Sequence, residues 1–235
     1  MTEALYLNDS YLKEFEAAVT EINGIFIVLD KTAFYPVGGG QPEDTGKFIS
    51  NGKEYSVKFV KKISSNISHE VDQEGLKVGD KVQGIIDWDR RYRLMKTHTA
   101  AHIISGVFHH NSSVKITGGD LSLEKGRIDF NIENFDRNLI EEYIKKSNDI
   151  IQKDLPIKVS YMNREEANKD PTLFKLAKEL PSTITNLRIL EIVGFDKQAD
   201  GGTHVRSTKE VGKIELISIE NKGKNNRRLY YRIMP

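Results

Sequence analysis

Two histidines four residues apart are the first feature of this chain that could do chemistry. His98 and His102 lie in a segment with helical periodicity, residues 90–110. Residues at this spacing occupy one face of a helix, so both imidazoles can reach a single point. The apolar residues of the segment gather on the opposite side, and they are Ala100, Ile103, Ile104, Val107 and Phe108. The pair therefore lies off the expected core-facing stripe, which favours a ligand pair over two structural histidines.

A short turn near the C-terminal end offers two further ligands. Residues 200–205 read AspGlyGlyThrHisVal, and glycine permits backbone conformations that are closed to other residues. Such a turn can bring Asp200 and His204 to one side. Together with His98 and His102 they make a set of three nitrogens and one oxygen. This donor set suits zinc, ahead of iron(II) or manganese.

The composition is that of a globular protein without a strong charge bias. The chain has 235 residues, of which 29 % are charged and 38 % hydrophobic, and its formal net charge is +1. Any affinity for nucleic acid must therefore come from local patches. The absence of cysteine excludes disulfides, thiolate nucleophiles and sulfur-ligated metal sites. No apolar run approaches the ~20 residues of a membrane span, and no secretory signal opens the chain, so we expect a cytoplasmic protein.

The elements that must position the candidate ligands divide into two parts. Strand patterns at residues 25–29, 54–60 and 82–86, with glycine turns between them, predict an N-terminal β-barrel-like domain over residues 1–88. Asp87 or Asp89 can cap the histidine helix, which opens a second domain over residues 89–235. There, a helix at 135–151 and strands at 127–132, 157–161, 187–193, 213–220 and 229–234 predict a two-layer domain with an antiparallel sheet. The predicted fold class is α+β.

A glycine-rich segment stands out in the first domain. Residues 34–46 contain Gly38, Gly39 and Gly40 in a row, and each glycine costs backbone entropy on folding. Their exposed amides could approach a phosphate, ribose or carbonyl closely, or they could form a tight turn between strands. The sequence leaves both interpretations open.

A basic loop follows the predicted strand at residues 213–220. It holds Lys222, Lys224, Arg227 and Arg228 without a nearby acid after Glu220. Solvated basic turns are common, and the same loop could contact phosphates.

Four segments together carry a resemblance to a known family. They are PheTyrProValGlyGlyGlyGlnPro from residue 34, AspTrpAspArgArg from residue 87, HisThrAlaAlaHis from residue 98 and GlyGlyThrHisVal from residue 201. In this order and spacing they resemble the alanyl-tRNA editing proteins of the AlaX type, in the longer, two-domain form. That family is related to the editing domain of alanyl-tRNA synthetase.

The resemblance implies hydrolysis of the ester bond in tRNA-Ala wrongly charged with serine, with glycine as a second candidate. It implies one zinc ion held by His98, His102 and His204, with Asp200 in the fourth position. The synthetase editing domain usually has cysteine there, so this chain departs from the pattern. Aspartate can ligate zinc directly or stay one step away and hold a water.

The resemblance also implies roles for residues around the metal. Gln41 is matched by position with a residue that holds the terminal adenosine, and Thr117 with one that binds the seryl hydroxyl. The glycines of both turns are expected to line the substrate, namely Gly38, Gly39, Gly40, Gly201 and Gly202. The four basic residues of the loop at 222–228 are expected to contact the tRNA.

The residue types suit direct attack by water, since a three-histidine zinc site can lower the pKa of bound water to ~7. The ion could equally bind the substrate's α-amine. A zinc hydrolase of a small ester or amide without RNA is the first alternative. A non-enzymatic RNA-binding module with a structural zinc is the second. A non-haem iron oxygenase is a distant third, because Thr99 and Ala100 follow His98 where a His-X-Asp/Glu pair is needed.

Overall fold

The computed structural model describes residues 1–132, 136–177 and 184–234. The chain forms two compact units, Met1–Leu94 and Met95–Pro235. The division falls inside helix α1 (Trp88–Ser112), so the domain boundary between residues 88 and 89 stays a prediction. Within the described ranges, no helix is both long and apolar enough to cross a membrane.

The first unit contains a closed six-stranded barrel and a small two-stranded sheet. Its strands are β1 (Glu3–Ala4), β2 (Glu14–Asn23), β3 (Phe26–Leu29), β4 (Lys31–Thr32), β5 (Gly46–Ser50), β6 (Lys53–Ile63), β7 (Asn66–Val71) and β8 (Lys81–Ile86). The barrel runs in the order β2, β3, β7, β6, β5, β8 and closes where β8 pairs with β2, and β1 and β4 form the small sheet. Alternating side chains fill its interior, among them Phe34, Phe48 and Val60, which are fully buried. The predicted barrel is confirmed.

The second unit contains two antiparallel sheets. Its strands are β9 (Ile116–Leu121), β10 (Gly126–Phe130), β11 (Ile157–Asn163), β12 (Asn186–Ile192), β13 (Asp196–Ala199), β14 (Lys213–Asn221) and β15 (Arg227–Met234). One sheet has the order β14, β15, β10, β9, and the other has the order β11, β12, β13. Short 3-10 helices lie at Leu5–Leu7, Pro171–Leu173 and Thr208–Val211. The α+β class is confirmed, with two antiparallel sheets in place of one.

Side-chain caps define where the helices begin. The carboxylate of Asp87 accepts the backbone N–H of Arg90 at 3.2 Å, which starts α1. Asp136 caps α2 (Arg137–Gln152), and Asn163 caps α3 (Arg164–Ala167). Phe135, the first residue of the predicted helix at 135–151, lies outside the described residues.

The C-terminal part of α1 packs on the four-stranded sheet. The ring of Phe108 stacks on Phe130 of β10 with centroids 4.4 Å apart, and Tyr143 of α2 meets it edge-on at 4.9 Å. The hydroxyl of Tyr231 on β15 donates to the carbonyl of Thr97 at 2.8 Å. Truncating a buried phenylalanine such as Phe108 typically costs about 3–5 kcal/mol. This packing fixes the part of α1 that carries the two histidines.

Candidate metal centre

The four predicted ligands come together in the second unit. One ligand atom from each of His98, His102, Asp200 and His204 lies within 4.8 Å of all the others. Nε2 of His98 and Nε2 of His102 each lie 3.7 Å from Oδ1 of Asp200, and Nε2 of His204 lies 2.9 Å from its Oδ2. The two histidines of the helix and the two candidate ligands of the glycine turn therefore meet at one point.

Helix α1 and the turn after strand β13 bring these residues together from distant parts of the sequence. His98 and His102 are one helical turn apart, with ring centroids separated by 5.0 Å. Strand β13 runs directly into Asp200, whose backbone N–H donates to the carbonyl of Arg188 on β12 at 3.0 Å. The Arg188 guanidinium in turn donates to the Asp200 carbonyl at 3.0 Å. Arg188 on the neighbouring strand thus bonds both the N–H and the carbonyl of Asp200, and this holds the start of the turn.

Position 202 must be a glycine because its backbone lies close to the ring of His98. Its N–H donates to Oδ2 of Asp200 at 2.6 Å. A Cβ added at this position would lie 2.2 Å from Cε1 of His98, whereas a Cβ at Gly201 would meet nothing within 4 Å. The first glycine of the pair leaves room for a side chain, and the second does not.

The charge state of the cluster favours a cation. Burial lowers the pKa of His98 to about 4, and burial together with the neighbouring His98 lowers the pKa of His204 well below its ordinary value. Burial alone would raise the pKa of Asp200, but His98 and the hydrogen bonds from His102 and His204 hold that pKa well below its usual range. At neutral pH His98 and His204 are therefore neutral and Asp200 is a carboxylate, so that together with His102 the cluster offers three imidazoles and one carboxylate. This donor set fits Zn²⁺ in number, type and charge.

One threonine of the cluster was missed by sequence reasoning. Oγ1 of Thr99 lies 3.2 Å from Nδ1 of His204 and accepts the backbone N–H of Val205 at 3.3 Å. Its position directly after His98 was the only available signal, because its partners lie more than 100 residues away in the chain.

The residues matched by position lie in two different settings. Thr117 is exposed on β9, and its hydroxyl donates to Oδ1 of Asn226 at 2.9 Å. Gln41 is buried in the first unit. The backbones of Gly38 and Gln41 exchange hydrogen bonds at 2.9 and 3.1 Å, and Gly39 and Gly40 between them have φ of 60° and 85°. The glycine run therefore builds a tight two-residue turn of the kind that needs positive φ at both central positions.

The basic loop divides into two pairs. Arg227 is buried and donates to the carbonyls of Gly223 and Asn226, so it shapes the turn itself. Arg228 makes a two-pronged contact with Asp129 of the adjacent strand, at 2.8 and 2.9 Å. Lys222 pairs with Glu220 at the surface, and Lys224 is exposed. The two lysines are thus the basic residues of the loop that are exposed to solvent.

Two family models match the chain. The model for class II (A) tRNA synthetases matches residues 3–90, and the model for the threonyl and alanyl tRNA synthetase second additional domain matches residues 187–230. The second match contains Asp200 and His204 of the metal centre.

Three relatives are similar over most of the chain. An alanyl-tRNA editing protein AlaX-M from Methanosarcina barkeri is 48 % identical over 242 residues, and one from Saccharolobus solfataricus is 49 % identical over 238 residues. Both alignments cover all of this chain and all of the relative. An alanine–tRNA ligase from Saccharolobus islandicus is 38 % identical over 229 residues, covering 93 % of this chain and 25 % of the ligase.

Proposed function

Because the chain belongs to the alanyl-tRNA editing proteins of the AlaX-M type, we propose that it hydrolyses the ester bond of tRNA-Ala wrongly charged with serine. The second proposed substrate is tRNA-Ala wrongly charged with glycine, which is smaller than serine. Membership of the family supports the reaction class, which is aminoacyl-tRNA editing. The four clustered side chains support a metal-dependent hydrolysis.

The convergence of His98, His102, Asp200 and His204 is the observation that supports this proposal most directly. Their ligand atoms lie within 4.8 Å of one another, close enough to share a single ion. We assign one zinc ion per chain to these four residues. When bound, zinc supplies a Lewis acid that polarises an ester carbonyl or activates water.

The chain's own residues orient that chemistry. The carboxylate of Asp200 is fixed by the N–H of Gly202, and the ring of His204 is fixed by the hydroxyl of Thr99. Such supporting contacts hold ligands in one geometry before the substrate arrives. Removing the carboxylate separates two roles for Asp200. An Asp200→Ala protein that loses metal identifies a ligand, whereas one that keeps metal and loses rate identifies a group that positions water.

Substrate recognition is assigned to three further groups of residues. We assign the seryl hydroxyl to Thr117, the terminal adenosine to Gln41 and the glycine turn before it, and the acceptor stem to Lys222 and Lys224. We also assign Gly201 and Gly202 to the substrate-binding surface; Gly201 leaves open space, whereas Gly202 lies against the ring of His98.

Deacylation of Ser-, Gly- and Ala-tRNA-Ala by metal-free and zinc-reconstituted protein tests the function. We expect release of serine only from the zinc-loaded protein, little release of alanine, and no activity in a folded His98→Ala control. Equal cleavage of a seryl ester without RNA would indicate a small-ester hydrolase. A zinc-loaded protein that binds tRNA without cleaving it would indicate an RNA-binding module.

A further inference from the structure

A buried polar network lies beside the metal centre, and the proposed reaction does not use it. Lys175, Asp196 and Gln198 are each less than 10 % exposed. Nζ of Lys175 forms an ion pair with Oδ1 of Asp196 and donates to the carbonyl of Lys197 at 3.0 Å. Nε2 of Gln198 donates to the other oxygen, Oδ2 of Asp196, at 2.8 Å.

The network reaches helix α1 through a serine. The amide of Gln198 also donates to Oγ of Ser105 at 3.0 Å, and that hydroxyl donates to the carbonyl of His102 at 3.0 Å. At the next residue, a Cβ added to Gly106 would lie 3.2 Å from Cγ of Asp196. Strand β13 therefore rests directly on α1, one helical turn beyond His102.

The same strand leads into the metal centre. Side chains two residues apart in a strand point to the same face, so Asp196 and Gln198 lie on one side of β13, and Asp200 follows directly after the end of the strand. The first two bind the helix, and the third lies 3.7 Å from Nε2 of His102. Gln198 therefore contacts the helix two residues before Asp200, beside the backbone of His102 itself.

A buried ion pair is a costly way to gain stability. Removing a lysine and an aspartate from water is often not repaid by their attraction, and apolar replacements of similar size can be equally stable. Burial lowers the pKa of Lys175, and the adjacent Asp196 opposes that shift. His110 adds a third partner, with Nε2 at 3.2 Å from Oδ1 of Asp196. A network of this cost and connectivity fits a role in fixing geometry.

We propose that Lys175, Asp196 and Gln198 form a clamp that positions Asp200 and His204 against His98 and His102 for metal binding. The proposal rests on the metal site assigned above. The clamp residues are not among the proposed ligands or substrate contacts, so we treat them as positioning residues. Zinc ligands must all approach to about 2.0–2.2 Å, and a strand displaced along α1 would break that requirement.

Metal affinity of the full chain tests the clamp. The metal-free protein is titrated with Co²⁺ and with Zn²⁺ against a chromogenic chelator, and melting is measured separately in excess chelator. We expect Gln198→Leu and Lys175→Met to weaken metal binding about ten-fold or more, as loss of supporting contacts commonly does. Lys175→Arg, which keeps the charge and the donors, should recover part of that loss.

Two control variants separate positioning from stability. Lys197→Ala removes an exposed lysine side chain of the same strand that pairs with Glu191 at 3.3 Å. Ile189→Val trims a buried residue of β12 that pairs with Ala199. Both should bind metal within about two-fold of the unmodified chain, although Ile189→Val lowers the melting temperature.

Two results would overturn the clamp. One is tight metal binding by both Gln198→Leu and Lys175→Met. The other is an equal loss of affinity in Ile189→Val at the same loss of melting temperature. If the unmodified chain binds neither metal, the proposed function fails as well. Tight binding by the unmodified chain and by both clamp variants rejects the clamp alone.

Discussion

The hydroxyl oxygen of Thr99 lies 3.2 Å from Nδ1 of His204, on the opposite side of the ring from the nitrogen that faces Asp200. A histidine that binds a cation through Nε2 carries its proton on Nδ1 and needs an acceptor there. Without a cation, Nε2 can carry the proton and donate to Asp200, and Nδ1 then needs a donor. A hydroxyl can play either part. Thr99 therefore suits both states of His204.

Replacing Thr99 with valine should weaken metal binding about 10- to 100-fold, because the neighbour that fixes the ring of His204 is lost while the volume is kept. The Thr99→Ser protein retains the hydroxyl and should bind metal nearly as well as the unmodified chain. Competition with a chelator measures both affinities. Equal affinity for the valine and serine proteins would show that Thr99 does not support the ligand.

Gly202 gives a matched pair of substitutions with its neighbour. The Gly202→Ala protein should lose metal and deacylation activity, because the new methyl group would meet His98 at 2.2 Å. The Gly201→Ala protein should keep both, since that position has nothing within 4 Å. Metal content after gel filtration and the rate of serine release measure the two effects. Loss of metal from both proteins would mean that neither glycine position tolerates a side chain.

Local patterns in the sequence were sufficient to predict the candidate ligands and the barrel. The four-residue spacing of His98 and His102 follows directly from helix geometry, and the alternation in β6 and β8 follows from the pleat of a strand. The capping roles of Asp87 and Asn163 depend on residues no more than three positions away. Each of these features is complete within one short segment.

Pairings between distant segments could not be predicted in the same way. Arg228 was assigned to a loop without a nearby acid, yet the register of β10 with β15 places Asp129 directly beside it. The contact of Thr99 with His204 and the ion pair of Lys175 with Asp196 likewise depend on tertiary packing. Helix and strand periodicity carry no signal for such contacts, because the two partners lie far apart in the chain.

A buried histidine in the barrel predicts a pH dependence of stability. Burial lowers the pKa of His69 from 6.5 to about 4, and the neutral ring bonds Thr32 and the carbonyl of Ile27. Between these pH values the unfolded chain binds a proton that the folded chain excludes. This contribution to stability is therefore complete above about pH 6.5 and declines, by roughly 1 kcal/mol per pH unit, as pH falls toward 4.

Denaturant unfolding followed by fluorescence of Trp88, the single tryptophan, measures this slope. The His69→Gln protein should show a shallower loss of stability between pH 6.5 and 4, whatever its stability at pH 7. An unchanged slope would assign the acid sensitivity to other groups.

The two exposed lysines of the basic loop should carry its tRNA contacts. The surface pair of Lys222 with Glu220 is worth little, so its ammonium group is available to a phosphate. Replacing Lys222 and Lys224 together with alanine should raise the tRNA concentration for half-maximal rate and reduce the salt slope by about 1–2, with the saturated rate little changed.

Arg228→Ala provides the contrasting variant for this loop. It leaves the carboxylate of Asp129 without its two-pronged partner, so it should lower the melting temperature whether or not tRNA is bound. A salt slope that the double lysine variant leaves unchanged would remove the loop from the tRNA surface. The basic residues near the start of α1, Arg90 and Arg93, would then be the next to test.

Selectivity for serine over alanine requires a polar group that alanine leaves unsatisfied. A pocket that merely tolerates serine also admits alanine, because a missing hydroxyl costs little unless a partner loses its hydrogen bond. We propose Thr117 for this role: it donates its own proton to Asn226, so its oxygen is left as an acceptor that a seryl hydroxyl can satisfy and alanine cannot. Thr117→Val, which replaces the hydroxyl with a methyl group of similar size, should lower the ratio of kcat/KM for Ser- over Ala-tRNA-Ala by about ten-fold or more.

Two further variants make the role of Thr117 falsifiable. Thr117→Ser should preserve the ratio, because it keeps the hydroxyl that binds the substrate. Asn226→Ala removes the group that orients this hydroxyl and should change the ratio less than Thr117→Val does. Single-turnover deacylation of both tRNAs gives the ratio directly. If Thr117→Val discriminates as well as the unmodified chain, the seryl hydroxyl is read elsewhere. Thr99, the threonine that contacts His204, then becomes the residue to examine, because its hydroxyl is the one already placed among the proposed ligands.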